Sequence, residues 1–388
     1  MATAAAAGAE QSQRHAVFFP FPAQGHVKAA LGLAQLLHRR MASRSPSSTP
    51  PSTTAAAFSG HGRPAVHHGG PGPALEEPLV AGLLPPVSCV ISDVEHVLYG
   101  SREMGTPCVT FFTTSAFAFM ASQQLQRLVD IGIVLNATAC HRTTPSAIIF
   151  HTFDDIDREA MAAMSTILPP TYAVGPLPLL LGHVSSGVAD TLESNLSKEN
   201  NASLEWLEGK RPDSVLYVSF GSMTTLTSIA WGLVNSKMDF LCVLPPELLE
   251  ETKARSHVTS WCPQEAVLRH EATGAFLTHC GWNSVLESLS AGVPMLCWPF
   301  GADQYTNARY VCSEWRVGLE IGGDVERDEV EAAVREVMGG GGKGEEMKRM
   351  AMEWKEKAAM AALPGGLSWV NLEKVVNERK MPTEAELQ

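Results

Sequence analysis

The sequence predicts an α/β protein made of two doubly wound parallel-sheet domains. Three observations predict it: short, near-continuously apolar strands, helical spacing between them, and a restart of the same alternation in mid-chain. His15 to Pro20 (His-Ala-Val-Phe-Phe-Pro) reads as the first buried strand, and Phe21-Pro22-Ala23-Gln24-Gly25 as the turn after it. From His26 the apolar positions Val27, Ala30, Leu31, Leu33, Ala34, Leu36 and Leu37 recur at helical spacing. Further strands are expected at 87–93, 107–112 and 146–150, with Tyr172 to Pro176 ending the first sheet. The second half restarts at 214–220 and continues through 240–243, 257–261, 274–278 and 294–298. The expected division is 1–178, 179–365, and a helix and tail at 366–388 whose apolar spacing lets it pack back across the junction.

Composition narrows the function classes. At 388 residues and 45% apolar side chains, the chain can bury the cores of two domains. A net charge of −12 repels a polyphosphate backbone, which excludes nucleic acid as a partner. No apolar run reaches membrane-spanning length. The eight cysteines are scattered without a Cys-x-x-Cys pair, as expected of free thiols in a reducing compartment. The leader before His15 lacks the apolar core of a signal peptide, so the expected location is the cytoplasm.

One stretch carries the chemistry. Gly274 to Thr278 is a strand, Cys280-Gly281-Trp282 a tight turn, and Asn283 or Ser284 the expected N-cap of a helix carrying Val285, Leu286 and Leu289. A helix that begins directly after a strand presents free N–H groups and a positive dipole end, which suit a diphosphate. His279 stands at the same strand end, within reach of a phosphate oxygen. No further ligands follow His279-Cys280 at zinc spacing, so no metal is expected. The first strand runs into Phe-Pro-Ala-Gln-Gly-His and not Gly-x-Gly-x-x-Gly, which argues against a nicotinamide oxidoreductase. Gly339 to Lys343 follows a helix and lacks the Ser or Thr of a phosphate loop, so it is expected to be a flexible connector.

A hydroxyl that acts as a nucleophile needs a base, and a histidine backed by a carboxylate meets that need. His26 lies just beyond the carboxyl end of the first strand and Asp93 at the end of a later one, and such edges face the cleft between doubly wound domains.

Taken in order, the segments Trp261-Cys-Pro-Gln264, Val267-Leu-Arg-His270, Thr278-His-Cys-Gly-Trp-Asn-Ser284, Glu287, Gly292-Val-Pro294 and Asp303-Gln304 resemble the secondary product glycosyltransferase box of plant family 1 UDP-glycosyltransferases. That resemblance implies a GT-B fold, a UDP-sugar co-substrate, no further cofactor, and transfer to a hydroxyl of a small lipophilic acceptor. It implies that Trp261 stacks on uracil, the Cys262 backbone pairs with its edge, and Gln264 and Glu287 hold the ribose. His279, Gly281, Asn283 and Ser284 would bind the diphosphate, while Trp282, Asp303 and Gln304 face the sugar. Gly221-Ser222 resembles a second phosphate-contacting turn, and Gln304 points to glucose. Gly25-His26 and Ser92-Asp93 match the family's catalytic histidine and its supporting aspartate, and Thr113 matches a sugar contact. The implied reaction inverts an α-linked donor to a β-glycoside.

The chain is roughly a hundred residues shorter than such enzymes usually are. The shortfall falls after Arg40, around Val134 to Pro145, and between Phe240 and Leu244. Met41 to Pro78 is rich in Ser, Pro, Ala, Gly and His where a helix end, a second strand and its loop are needed, so the first domain is expected to be incomplete. One codon choice for Met41 to Pro50, read two nucleotides later, encodes Gly-Phe-Pro-Val-Thr-Phe-Val-His-Thr, the kind of strand expected there. An inactive member that keeps at most UDP-sugar binding is the other reading this shortfall leaves open.

Overall fold

The structure of the protein is a computed structural model. It describes residues 15–42, 52–55, 87–130, 145–184, 202–220, 232–243, 255–322 and 327–377, apart from 22, 95–96, 98–99, 102–103, 234 and 260. Within these, two six-stranded sheets are parallel throughout.

The first sheet contains β1 (His15–Phe19), β2 (Ser52–Ala55), β3 (Cys89–Ser92), β4 (Cys108–Phe112), β5 (Ala147–Phe150) and β6 (Thr171–Ala173). Their order is β2-β1-β3-β4-β5-β6, so the winding reverses between β1 and β3. The second contains β7 (Val215–Ser219), β8 (Asp239–Val243), β9 (Ser256–Thr259), β10 (Thr273–Thr278), β11 (Met295–Cys297) and β12 (Gly318–Glu320). Its order, β12-β11-β10-β7-β8-β9, places the reversal between β10 and β7. Ligands of such sheets settle outside the carboxyl ends of the strands at the reversal. Those ends are level in both sheets, with Phe19 opposite Ser92 and Ser219 opposite Thr278.

Every residue of β4, β7 and β10 is buried, because helices cover both faces; this is why these strands read as continuous apolar runs. Helix α1 (Gln24–Ala42) lays the fully buried Leu33 and Leu36 into the first core. α2 (Ala116–Asp130) starts one residue, Ser115, after Thr113 and Thr114. Its first turn is held by the buried Asp157 of α3 (Asp154–Met164), which accepts the Ala116 and Phe117 N–H groups at 2.9 and 3.0 Å and the Thr152 hydroxyl. This capping fixes where Thr113 and Thr114 stand.

The remaining α-helices among the described residues are α4 (Leu177–His183), α5 (Ala202–Glu208), α6 (Gln264–Arg269), α7 (Trp282–Ala291), α8 (Gln304–Arg309), α9 (Arg327–Met338), α10 (Gly342–Ala362) and α11 (Leu367–Asn377), and a π-helical turn, Tyr310–Glu314, follows α8. α11 lies against β6 and α1, where Asn371 Nδ2 donates to Ala173 O at 3.1 Å and the Arg40 guanidinium sits 4.7 Å over the Trp369 ring. Between the sheets, Phe117 of α2 stacks on Tyr310 at 3.9 Å and meets the edges of Trp282 and Trp315, so one apolar cluster spans both halves.

Three local expectations are corrected, and one further strand is added. The segment 41–78, expected to lack a second strand, supplies the edge strand β2, in which Ser52-Thr-Thr-Ala55 runs beside His15 to Phe18. Four residues with two β-branched threonines suffice for a sheet edge, where only one side must pair. β12 was not anticipated; three residues give too short a pattern to read. α10 begins at Gly342, inside the expected connector, and the Gly344 backbone packs against Val337 O, where a Cβ would come within 2.4 Å. The N-cap of α7 is Gly281 and not Asn283 or Ser284.

Candidate active site

At the first reversal, the turn after β1 delivers His26 onto the first turn of α1, and the end of β3 delivers Asp93. Ser92 ties these strand ends together, donating to Phe19 O at 2.5 Å and accepting the Val94 N–H at 3.0 Å. Asp93 Oδ1 accepts the Phe21 N–H at 2.7 Å, and Oδ2 is hydrogen-bonded to His26 Nδ1. The Asp93 side chain is 7% exposed and that of His26 40% exposed. Thr113 Oγ1 lies 3.1 Å from the same His26 nitrogen. With Nδ1–H given to the carboxylate, the lone pair belongs to Nε2, the nitrogen left for a substrate.

At the second reversal, β10 ends in Thr278 and the chain turns through Cys280, whose φ of +63° is the left-handed conformation a sharp turn needs. A Cβ on Gly281 would lie 2.5 Å from His279 Nε2, so the turn closes around the imidazole only with glycine there. α7 has no side-chain cap, so the N–H groups of its first turn are left for a ligand. Burial lowers the His279 pKa against the opposing pulls of Asp303 and of the Ser219 backbone.

The base and ribose positions form one connected group. Tyr217, fully buried on β7, donates to Gln264 Oε1 at 3.0 Å and lies 3.3 Å from Cys262 Sγ. Gln264 Nε2 then reaches Glu287 Oε2 at 2.7 Å and Ser284 Oγ at 3.2 Å. Trp261 follows β9, pinned by Thr259 Oγ1, which donates to its carbonyl at 2.8 Å.

The two reversals face each other and are joined by polar contacts. Thr114 Oγ1 donates to Asp303 Oδ2 at 3.1 Å, and the buried Asn307 holds the same oxygen at 3.1 Å. Gln304 Oε1 accepts the Phe300 and Gly301 N–H groups, fixing the loop before α8. Asn283 Nδ2 donates to Gly25 O at 2.8 Å, one residue before His26. The Trp282 ring is buried and its Nε1 donates to His151 O at 2.6 Å, so its side chain is closed to a sugar and only its backbone faces the turn. The Asn283 side chain is likewise engaged, which leaves its backbone N–H for a phosphate. Ser222 lies outside the described residues.

Residues 136–370 match the family model described as UDP-glucoronosyl and UDP-glucosyl transferase. The chain is 38% identical to a 7-deoxyloganetin glucosyltransferase of Gardenia jasminoides, the alignment covering 94% of this chain and 97% of that one. The chain belongs to the plant family 1 UDP-glycosyltransferases. It is also 37% identical to an (R)-mandelonitrile beta-glucosyltransferase of Prunus dulcis, over 95% of this chain and 98% of that one. The GT-B fold is shared with Os79 from O. sativa in complex with UDP, at a TM-score of 0.74, 23% identity, and coverage of 94% of this chain and 100% of that one. The chain is therefore a UDP-dependent glycosyltransferase, and its sugar donor is a co-substrate. Relatives named for their glucosyl transfer give no support to a binding-only member. The first alignment runs over 471 positions, more than the 388 residues present, so the relative carries segments without a counterpart here.

Several side chains that shape the site of this glycosyltransferase escaped sequence reasoning: Lys28, Thr114, His151, Tyr217 and Asn307. Tyr217 and His151 sit in or beside apolar strands, where a polar residue reads as core; pairing across 47 and 132 positions leaves no local signal. Burial pushes the His151 pKa down to about 4, against the raising effect of its contact with Asn283. Its Nε2 accepts the Leu177 N–H at 3.3 Å and its Nδ1–H faces Asn283 Oδ1 at 3.1 Å, an arrangement that only the neutral ring can make. A histidine whose folded pKa is depressed contributes stability that is complete above its unfolded value, about 6.5, and lost as pH falls toward the folded one. Thermal melts are expected to show a loss of up to about 3 kcal/mol between pH 6.5 and 4, and His151→Gln to remove that part of the slope.

Proposed function

We propose that this glycosyltransferase moves glucose from UDP-glucose to a hydroxyl of a small lipophilic acceptor, with inversion at the anomeric carbon. The observation that carries the reading is the apposition of the His26–Asp93 pair at one sheet reversal to the box at the other, bridged by Thr114 and Asp303. His26 Nε2 takes the acceptor proton as its oxygen attacks the anomeric carbon. The bond to UDP breaks and its electron pair leaves on the β-phosphate oxygen. Asp93 holds the imidazole in one tautomer and stabilises the imidazolium that forms.

In this reading Trp261 stacks on uracil, Cys262 offers its backbone, and Gln264 and Glu287 take the ribose. The N–H groups of Trp282, Asn283 and Ser284, with His279 and the Gly281 turn, receive the diphosphate, joined by Ser222. Asp303, Gln304 and Thr113 face the sugar hydroxyls. Residues 1–178 serve the acceptor and 179–365 the donor, with 366–388 returning to the first unit. Phe21, 51% exposed and with its ring 5.3 Å from that of His26, offers the acceptor an apolar wall. The names of the Gardenia and Prunus relatives support glucose as the sugar and a small metabolite as the acceptor. The described cysteines are free and mostly buried, which supports a cytoplasmic setting.

The test is transfer from UDP-glucose to a panel of small phenols and alcohols, with the anomeric configuration of the product read by NMR. A β-glucoside is expected. An α-linked product, or bound UDP-glucose with no transfer to any acceptor, would contradict the proposal.

A further inference from the structure

The sequence pattern treats Lys28 as a polar position on α1, and nothing in the reaction above uses it. Its ammonium crosses from the first unit to the second, 2.9 Å from Glu287 Oε1 and 2.7 Å from Glu265 Oε1. The Glu287 side chain is 10% exposed, and its two oxygens are divided: Oε1 on Lys28, Oε2 on the Gln264 amide. The ion pair lines a crevice of about 260 Å³ between α1, α4, α6 and α7, together with Gln35, Pro178, Arg269 and Ser290.

A carboxylate buried this far favours its neutral form unless a counter-charge stands beside it. A protonated carboxyl has spent one oxygen as a donor and accepts fewer ribose hydroxyls than a carboxylate does. We propose that Lys28 is a positioning residue of the donor site: it keeps the Glu287 carboxylate charged and oriented for the ribose hydroxyls. This rests on the placement of the ribose at Glu287. It also makes the donor site complete only when α1 of the first unit is docked on α6 and α7 of the second, which couples donor affinity to the apposition of the two units.

The groups facing Glu287 are Lys28 from α1, Glu265 from α6 with its partner Arg269, and Tyr217 from β7, while His151 beyond β5 faces Lys28 and Glu265. Burial would lower the Lys28 pKa, but the carboxylates of Glu287 and Glu265 outweigh it and hold the ammonium above its usual range. Burial keeps His151 and Tyr217 uncharged across pH 6 to 8. Burial raises the Glu287 pKa and Lys28 is the largest influence pulling it back down, so removing Lys28 raises it further.

The experiment is calorimetric binding of UDP and of uridine to the full chain at pH 6, 7 and 8, for wild type, Lys28→Met, Lys28→Arg and Glu287→Gln. Lys28→Met is expected to weaken UDP and uridine by the same factor, at least about tenfold at pH 6. Affinity should return as pH rises and Glu287 ionises, while the wild type stays level and Lys28→Arg restores most of the binding. Loss for UDP with uridine unchanged would overturn the proposal, because Lys28 would then act on the phosphates. Unchanged binding in Lys28→Met would also overturn it while leaving the donor site intact, provided Glu287→Gln is weakened. If Glu287→Gln binds both ligands as the wild type does, the ribose placement itself fails, and the role of Lys28 fails with it.

Discussion

Replacing His26 with alanine is expected to lower kcat by about 10²- to 10⁴-fold, the range a positioned general base contributes, while the affinity for UDP stays within twofold or so of wild type. The separation follows from position. His26 contacts Asp93 and Thr113 within the first unit, and none of its described contacts reaches Trp261, Gln264 or Glu287. Its loss removes the proton acceptor and leaves the donor contacts standing. Asp93→Asn should also slow transfer, since an amide that donates to Nδ1 would move the proton to Nε2 and take away the lone pair the acceptor needs. Single-turnover rates at saturating UDP-glucose, beside a UDP titration, measure both effects. A His26→Ala protein that turns over like the wild type would remove the base from this account.

Trp261→Ala should show the opposite signature. Stacking of a base on an aromatic ring contributes about 1–3 kcal/mol, so the dissociation constant for UDP is expected to rise about 5- to 150-fold. At saturating donor kcat should change little, because the contact is made equally in the ground and transition states. The indole is anchored for this role: Thr259 fixes its backbone, and its Nε1 is buried without a described partner. A variant that kept its donor KM but lost kcat would place Trp261 outside the nucleotide site.

The central strands β4, β7 and β10 were legible because burial on both faces makes them apolar throughout. The His26–Asp93 pair was legible too, since each residue follows a recognisable strand end and the sheet order brings those ends level. The contacts that join the two units were not. Thr114 to Asp303 spans 189 positions and Asn283 to Gly25 spans 258, and neither leaves a periodic trace. For the same reason Asn283 and Trp282 were given to the ligand, whereas their side chains hold the halves together. At α7 the sequence favours Asn283 or Ser284 as the cap because asparagine and serine are strong N-cap residues. Here the helix starts earlier at Gly281, where the close approach of His279 leaves no room for a side chain. The edge strand β2 was hidden by a composition that reads as low complexity.

The measurement that bears most directly on the central claim is a crystal structure of the protein with UDP bound. The account predicts uracil against the Trp261 ring, ribose hydroxyls on Glu287, and the β-phosphate at the first turn of α7, with its free oxygen turned toward His26. UDP seated elsewhere, or in the cleft with its ribose away from Glu287 and its phosphates away from the Gly281 turn, would contradict it.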